Sequence, residues 1–233
     1  MSQSSNDPAT MIEMIKVTKQ YPPNIAALHD ISISISAGEM LFLIGRSGAG
    51  KTTLLKLLCG METPSAGLIE INGTATNDLH GNALAKLRQK IGVAYQDFRL
   101  LLNRTVAENI AISMEVSYKK PQLIQKRVKD LLEQLDLSDK HDTIAEELSR
   151  GEQQRITLAR SVANSPTMIL VDEPTGNLDA TTTTRVMDLL KKSNKAGATI
   201  VIATHDSSLY DNTSHRVCEL RHGEMYSING ALL

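Results

Sequence analysis

The sequence predicts an α/β protein with a mainly parallel core sheet, an N-terminal antiparallel β subdomain and an inserted α-helical subdomain. Three observations carry this reading. MIEMIKV and DISISIS near the N-terminus alternate apolar and polar with period two, the second half alternates apolar strands with helical segments, and the stretch from about Thr105 to Leu148 shifts to helical spacing.

Taking the elements in order, MSQSSNDPAT is polar and reads as a flexible terminus over residues 1–10. MIEMIKV and DISISIS then alternate as strands with one wet face, opening the chain as antiparallel β. After AGE, the run MLFLI is apolar throughout, as expected of a strand buried on both faces of a parallel sheet. GRSGAGKTT follows, and a helix over KTTLLKLLCG stops at Gly60. LIEIN followed by Gly73 reads as a short strand closed by a hairpin turn, and GVAY as another strand.

From about Thr105 to Leu148 the spacing turns helical. It is clearest in IQKRVKDLLEQLDL, where Val128, Leu131, Leu132 and Leu135 share one face. The inserted helical subdomain is placed at about 98–160. Alternation then resumes with helix RITLARSVA, strand TMILVDE, helix TTTTRVMDLLKKSNKAG, strand TIVIATHD and a closing hairpin, VCELRHGEMYSI. No repeat or long linker divides residues 11–233, which read as one domain.

At 233 residues and 41% hydrophobic, the chain can bury a sizeable core. Its 25 basic and 26 acidic residues nearly cancel, removing the electrostatic footprint of a nucleic-acid binder, and Trp is absent. No stretch approaches the length of a membrane-spanning helix, and the first residues lack a signal-peptide pattern, so the protein is expected in the cytoplasm. Cys59 and Cys218 lie in apolar runs without metal-ligand spacing and are expected to be reduced core residues.

Two strings carry chemistry. Gly45, Arg46, Ser47, Gly48, Ala49, Gly50, Lys51 and Thr52 fit G-x-x-x-x-G-K-[ST], with a strand before and a helix after. Backbone N–H groups of such a loop curl around phosphates, Lys51 reaches the β and γ oxygens, and the Thr52 hydroxyl, with Thr53 beside it, is placed at a Mg²⁺ ion. In MILVDEP an apolar strand delivers Asp172 and Glu173 to its C-terminal edge, where open α/β sheets bind ligands. Asp172 is assigned to the metal shell and Glu173 to the attacking water, with strand alternation turning the two side chains apart.

ELSRGEQQRITLAR, residues 147–160, resembles the signature segment of ABC ATPases, and it lies between the phosphate loop and MILVDEP as that family requires. The resemblance covers nearly the whole chain. It implies the P-loop NTPase fold of the ABC type, ATP and Mg²⁺ as ligands, and catalytic roles for Lys51, Gln96, Glu173 and His205. Tyr21 resembles the aromatic that stacks on adenine. Gln96, after GVAY, resembles the residue contacting Mg²⁺ and the attacking water. Asn177, Leu178 and Asp179 resemble the D-loop, and His205 the switch histidine. Ser149, Gly151 and Glu152 would complete the ATP site of a second subunit, so the resemblance implies a homodimer.

Where most members have two glycines after the signature serine, this chain has Arg150 and then Gly151. If the first position needs a positive φ, Arg costs about a kilocalorie or more there. If it does not, Arg150 adds a cation beside the phosphates.

LLKLLCGMETPSAG, YQDFRLLLNRTVAENIAI, ELSRGEQQR and DEPTGNLD together resemble the cell-division branch of the family. That branch implies an integral membrane partner, a place at the cytoplasmic face of the membrane and, with it, other division proteins; force transmission replaces cargo transport. The ATPase of a lipoprotein-releasing or macrolide-type exporter is the alternative. A nucleotide-gated clamp on DNA or ribosomes would bring a coiled-coil insertion or a tandem cassette, and neither is seen. The segment Asp97 to Met114, with Phe98, Leu100, Leu101, Leu102 and Arg104, is expected to meet the membrane partner. The basic run from Lys119 to Lys129 reads as a solvated helix face or a membrane-facing patch.

Overall fold

A computed structural model describes residues 9–211 and 213–227. The expected flexible terminus therefore lies outside the described residues except for its end, where Thr10 already opens the first strand.

Strand β1 (Thr10–Tyr21) pairs antiparallel with β2 (Ile25–Ser36) and, on its other edge, with β4 (Ala66–Ile71). A two-residue β5 (Thr74–Ala75) completes a sheet ordered β2-β1-β4-β5. Asn72 and Gly73 both have positive φ, 48° and 71°, as the two central residues of the tight β4–β5 turn require.

The core sheet runs β10-β9-β3-β8-β7-β6 among the described residues. In it β3 (Met40–Ile44), β6 (Ile91–Ala94), β7 (Met168–Asp172), β8 (Thr199–Thr204) and β9 (Arg216–Arg221) are parallel, and β10 (Glu224–Ser227) returns antiparallel on the β9 edge. The first half of the closing hairpin thus extends the parallel sheet. β7 and β8 are buried at every position, as their unbroken apolar runs require.

Among the described residues six α-helices join these strands: α1 (Lys51–Leu58), α2 (Gly81–Arg88), α3 (Val106–Glu115), α4 (Pro121–Gln134), α5 (Arg150–Ala163) and α6 (Ala180–Lys195). The sequence pattern leaves out α2, which buries no residue and so has no apolar stripe to read. Helix α5 begins at Arg150, five residues before the expected RITLARSVA, because Ser149 and Glu152 form a capping box at its start.

One buried apolar cluster runs from Phe42, Val171 and Ile200 through Leu158 and Val162 of α5 to Ile110, Val128 and Leu131. The helical segment is therefore packed continuously onto one face of the core sheet. The opposite face, with Leu43, Leu170 and Val201, packs on α1 and on Ile12, Met14 and Ile69 of the antiparallel sheet. Cys59 and Cys218 are free and buried in this second cluster.

Candidate active site

The loop after β3 is shaped by glycine. Gly45 has φ 149°, and a Cβ there would collide with the carbonyl oxygen of Leu220. Gly50 has φ 109°, and its bare Cα admits the backbone of Ala27 from β2. That approach brings the start of β2 against the loop. Arg46, Ser47 and Gly48 are exposed at the tip, while Ala49 is buried and its N–H closes the turn on the Arg46 carbonyl at 3.1 Å. Loop N–H groups and the α1 N-terminus share one side of the sheet edge, the arrangement that binds phosphate.

Lys51 and Thr52 open α1. The buried Lys51 ammonium donates to the Gly45 carbonyl at 2.7 Å and lies 3.5 Å from Glu173 Oε1. Thr52 Oγ1 donates to Asp172 Oδ2 at 2.7 Å, so hydroxyl and carboxylate converge from α1 and the end of β7. Burial raises the Asp172 carboxyl above its ordinary range, against the lowering by the Thr52 bond. Thr53, the next residue, is half-buried on the same turn.

Glu173 differs from the expected strand alternation. β7 ends at Asp172, and Glu173 takes a left-handed φ of 51°, a conformation that costs about a kilocalorie for a non-glycine residue. The backbone turn, rather than the pleat, separates its side chain from that of Asp172. Two bonds fix that turn: Glu173 N–H donates to the Ala203 carbonyl at 2.8 Å, and the buried Gln154 side-chain amide donates to the Glu173 carbonyl at 2.8 Å.

The Glu173 carboxylate is a hub. Oε1 is 2.9 Å from His205 Nδ1, and Oε2 accepts from Thr204 Oγ1 and His205 N–H, each at 3.3 Å. The His205 ring itself is mostly exposed, at the end of β8. Gln96 follows β6 in the same register, two residues past Ala94, which pairs with Val171, as Glu173 is two past Val171. Gln96 is exposed on that edge.

The remaining assigned residues lie elsewhere. Tyr21 ends β1, half-buried, with the Lys19 ammonium 4.9 Å from its ring centroid. Ser149 Oγ accepts from Glu152 N–H at 3.3 Å and donates to Glu152 Oε2 at 2.7 Å, while Ser149 N–H donates to the same oxygen at 2.8 Å. These bonds hold the Glu152 carboxyl below its usual range. Ser149 is exposed and makes no bond to the phosphate loop. Arg150 is the first helical residue and is not among those with positive φ, so no backbone strain falls on it. Gly151 is the tight position instead: a Cβ there would stand 3.1 Å from the Asn177 carbonyl oxygen. Asp179 caps α6, accepting from Thr182 N–H at 2.9 Å.

Sequence reasoning missed a ladder on α5. Gln154, Thr157 and Arg160, spaced i, i+3, i+6, share one face. Gln154 holds Glu173, Thr157 Oγ1 donates to the Phe98 carbonyl at 3.3 Å, and the Arg160 guanidinium donates to the Phe98 and Arg99 carbonyls at 2.7 Å each. Phe98 and Arg99 both have positive φ, 58° and 48°. The only sequence signal was three polar residues at helical spacing in a helix otherwise largely apolar on its inner side.

In the segment expected to meet a membrane partner, Phe98 packs against the core and Leu100 is buried, whereas Leu101 and Leu102 are 40% and 49% exposed. A groove of about 720 Å³ opens between α2, β6, α3 and α5, lined by Met61, Ile91, Val93, Tyr95, Val116 and Arg160, among others, and Arg160 joins it to the turn at Phe98 and Arg99.

The ABC transporter family model matches residues 28–176. The chain is 45% identical over 216 residues to the cell division ATP-binding protein FtsE of Mycobacterium tuberculosis, covering 92% of this chain and 94% of that one. It is 41% identical to FtsE of Bacillus subtilis (91% and 93% covered) and 41% identical to FtsE of Escherichia coli (93% and 97% covered). Among solved structures it superposes with a TM-score of 0.87 and 33% identity on an ATP-binding cassette captured as a dimer in a post-hydrolysis state with ADP and Pi, over 94% of this chain and 99% of that one.

Proposed function

We propose, from the premise that this chain belongs to the ABC transporter family of ATP-hydrolysing cassettes, that it is the ATPase subunit of an FtsE–FtsX-type complex, regulating cell-wall hydrolysis at the division site. The observation that carries the catalytic part is the convergence of Lys51, Thr52, Asp172, Glu173 and His205 at one sheet edge. The divisional part is supported by FtsE relatives matched over more than nine-tenths of the chain, which favour it over the exporter alternative.

The donor set at Thr52 and Asp172 fits Mg²⁺: two oxygens 2.7 Å apart, one a carboxylate, leave the remaining positions to phosphate and water, as this ion prefers. With nucleotide bound, the ion neutralises charge on the β and γ phosphates. The chain's own residues do the rest. Loop N–H groups and Lys51 hold the phosphates, and Tyr21 covers the base. Glu173, aimed by its left-handed backbone and its bond to Gln154, orients the attacking water and accepts its proton. His205, bonded to Glu173, and Gln96, at the neighbouring strand end, would contact the γ-phosphate and the water.

Ser149, Gly151 and Glu152 make no hydrogen bond to these residues and are exposed or half-buried at a helix N-terminus, the right chemistry for a second chain's γ-phosphate. Two copies would thus close around ATP and part after hydrolysis. The membrane subunit would seat a helix in the groove between α2, β6, α3 and α5, with the exposed Leu101 and Leu102 as further contacts, and this chain would lie on the cytoplasmic face of the membrane. No helix among the described residues is long and apolar enough to cross it.

Copurification tests the partner. A four-span, FtsX-like membrane protein, with filamentation on depletion, is the expected outcome. Copurification with exporter subunits, and lipoproteins accumulating in the inner membrane, would overturn the divisional reading.

A further inference from the structure

We propose that the turn joining α3 to α4, together with the first half of α4, binds an anionic lipid surface directly. The proposal rests on the reading that a membrane subunit occupies the neighbouring groove. Its content is a second, protein-to-lipid contact that the partner does not supply.

The first observation is charge. From Val116 to Lys129 the sequence VSYKKPQLIQKRVK carries five basic residues and no acidic one. The whole chain has 25 basic against 26 acidic residues, so the rest of it holds 20 against 26. The excess positive charge is concentrated in these fourteen positions. Arg127 is spent internally, donating to the Val162 and Ala163 carbonyls. Lys119, Lys120, Lys126 and Lys129 are exposed and take part in none of the ion pairs among the described residues. Glu115, at the end of α3, and Asp130, directly after Lys129 in α4, are the acidic groups that flank them.

The second observation is what accompanies the lysines. Tyr118 is 94% exposed, Leu123 57% and Val116 53%, three of the large apolar side chains most open to solvent. A solvated helix face explains lysines; it does not explain an aromatic and two aliphatic side chains among them. Amphipathic aromatic rings and aliphatic side chains flanked by Lys are the composition of a surface that lies in a lipid headgroup layer.

The third observation is backbone. The Lys119 N–H bonds the Met114 carbonyl at 3.1 Å and the Tyr118 N–H bonds the Glu115 carbonyl at 2.9 Å, the paired bonds of a Schellman helix end. Tyr118 occupies the left-handed position of that motif with φ 55°, where glycine is the usual residue. The strained turn presents the tyrosine outward, and an exposed ring returns no packing to the fold. Gln89 fixes the turn by donating to the Val116 carbonyl at 2.9 Å. Val116 also lines the groove assigned to the membrane subunit, so the patch continues that groove outward along one face.

The test uses the purified full chain and sedimenting vesicles of phosphatidylcholine alone or mixed with phosphatidylglycerol. Binding is expected to the mixed vesicles, absent from the neutral ones and weakened by salt. The double variant K119E/K120E should lower the bound fraction roughly ten-fold or more, and Y118S/L123S several-fold, both with the parent's melting temperature and ATP turnover. The absence of binding to anionic vesicles, equal binding by parent and variants, or retention on duplex DNA in preference to vesicles would each overturn the proposal. Copurification with the membrane subunit in detergent without anionic lipid separates the two readings. K119E/K120E should still copurify, and a parent chain that binds vesicles but captures no membrane subunit strikes the partner reading alone.

Discussion

The side-chain amide of Gln154 donates to the carbonyl oxygen of Glu173 at 2.8 Å, and its own oxygen accepts from Asn177 Nδ2 at 3.4 Å. Helix α5, capped by Ser149, is thereby bonded both to the backbone of Glu173, the proposed catalytic carboxylate, and to the loop before α6. Because Glu173 sits in a left-handed conformation, this bond is one of the two that keep it there.

Replacing Gln154 with Leu should therefore act on catalysis more than on binding. We expect kcat for ATP to fall roughly ten-fold or more, about 1.4 kcal/mol or more of transition-state stabilisation, with KM within about three-fold. Steady-state ATPase measurements check this; a rise in KM at constant kcat would contradict it.

Arg150→Gly should change turnover by less than about three-fold, because Arg150 has helical backbone and no strain to relieve. The contrasting variant is Gly151→Ala, whose methyl group would press on the Asn177 carbonyl oxygen. It should lower ATP turnover by roughly ten-fold. Equal effects of the two substitutions would contradict this placement.

Ser149→Ala removes both the side-chain cap and the largest of the bonds that depress the Glu152 carboxyl, leaving the backbone N–H bond and Lys140. At neutral pH it should cost about 1 kcal/mol of stability. The sign with pH follows from the direction of the shift. A carboxyl lowered in the folded state contributes stability above its unfolded pKa of about 4.3 and loses it as pH falls through the folded value. Parent and variant melting temperatures should thus converge on acidification below about pH 4; a gap that widens on acidification would contradict the assignment.

Leu101→Ser with Leu102→Ser should leave the melting temperature unchanged, since both side chains are substantially exposed, and reduce copurification with the membrane subunit. Phe98→Ser should instead lower the melting temperature, since Phe98 packs on the core. Unaltered copurification of the leucine double variant would remove these residues from the docking surface.

The fold was legible wherever a single periodicity ruled. MLFLI, TMILVDE and TIVIATHD have no polar break, and each is a core strand. Helix α2 was not legible, because a helix that buries nothing leaves no stripe. In the candidate site, the glycine-rich loop and the Asp172–Glu173 pair stand out in the sequence as fixed residue types at fixed spacing, and the fold brings them to one sheet edge. What separates the two carboxylates was not legible, since left-handed backbone at Glu173 depends on partners 19 and 30 positions away in sequence, Gln154 and Ala203. The same holds for Arg160, whose role appears only when α5 lies against the turn at Phe98 and Arg99.

If each ATP is held between two copies, Glu173 of one and Ser149 of the other would meet at its γ-phosphate. The direct measurement is the mass of the Glu173→Gln variant by light scattering with and without ATP and Mg²⁺. A mass doubling from about 25 kDa on adding ATP, reversed by the further substitution Ser149→Arg, is expected. A Glu173→Gln variant that binds ATP and stays monomeric would contradict it.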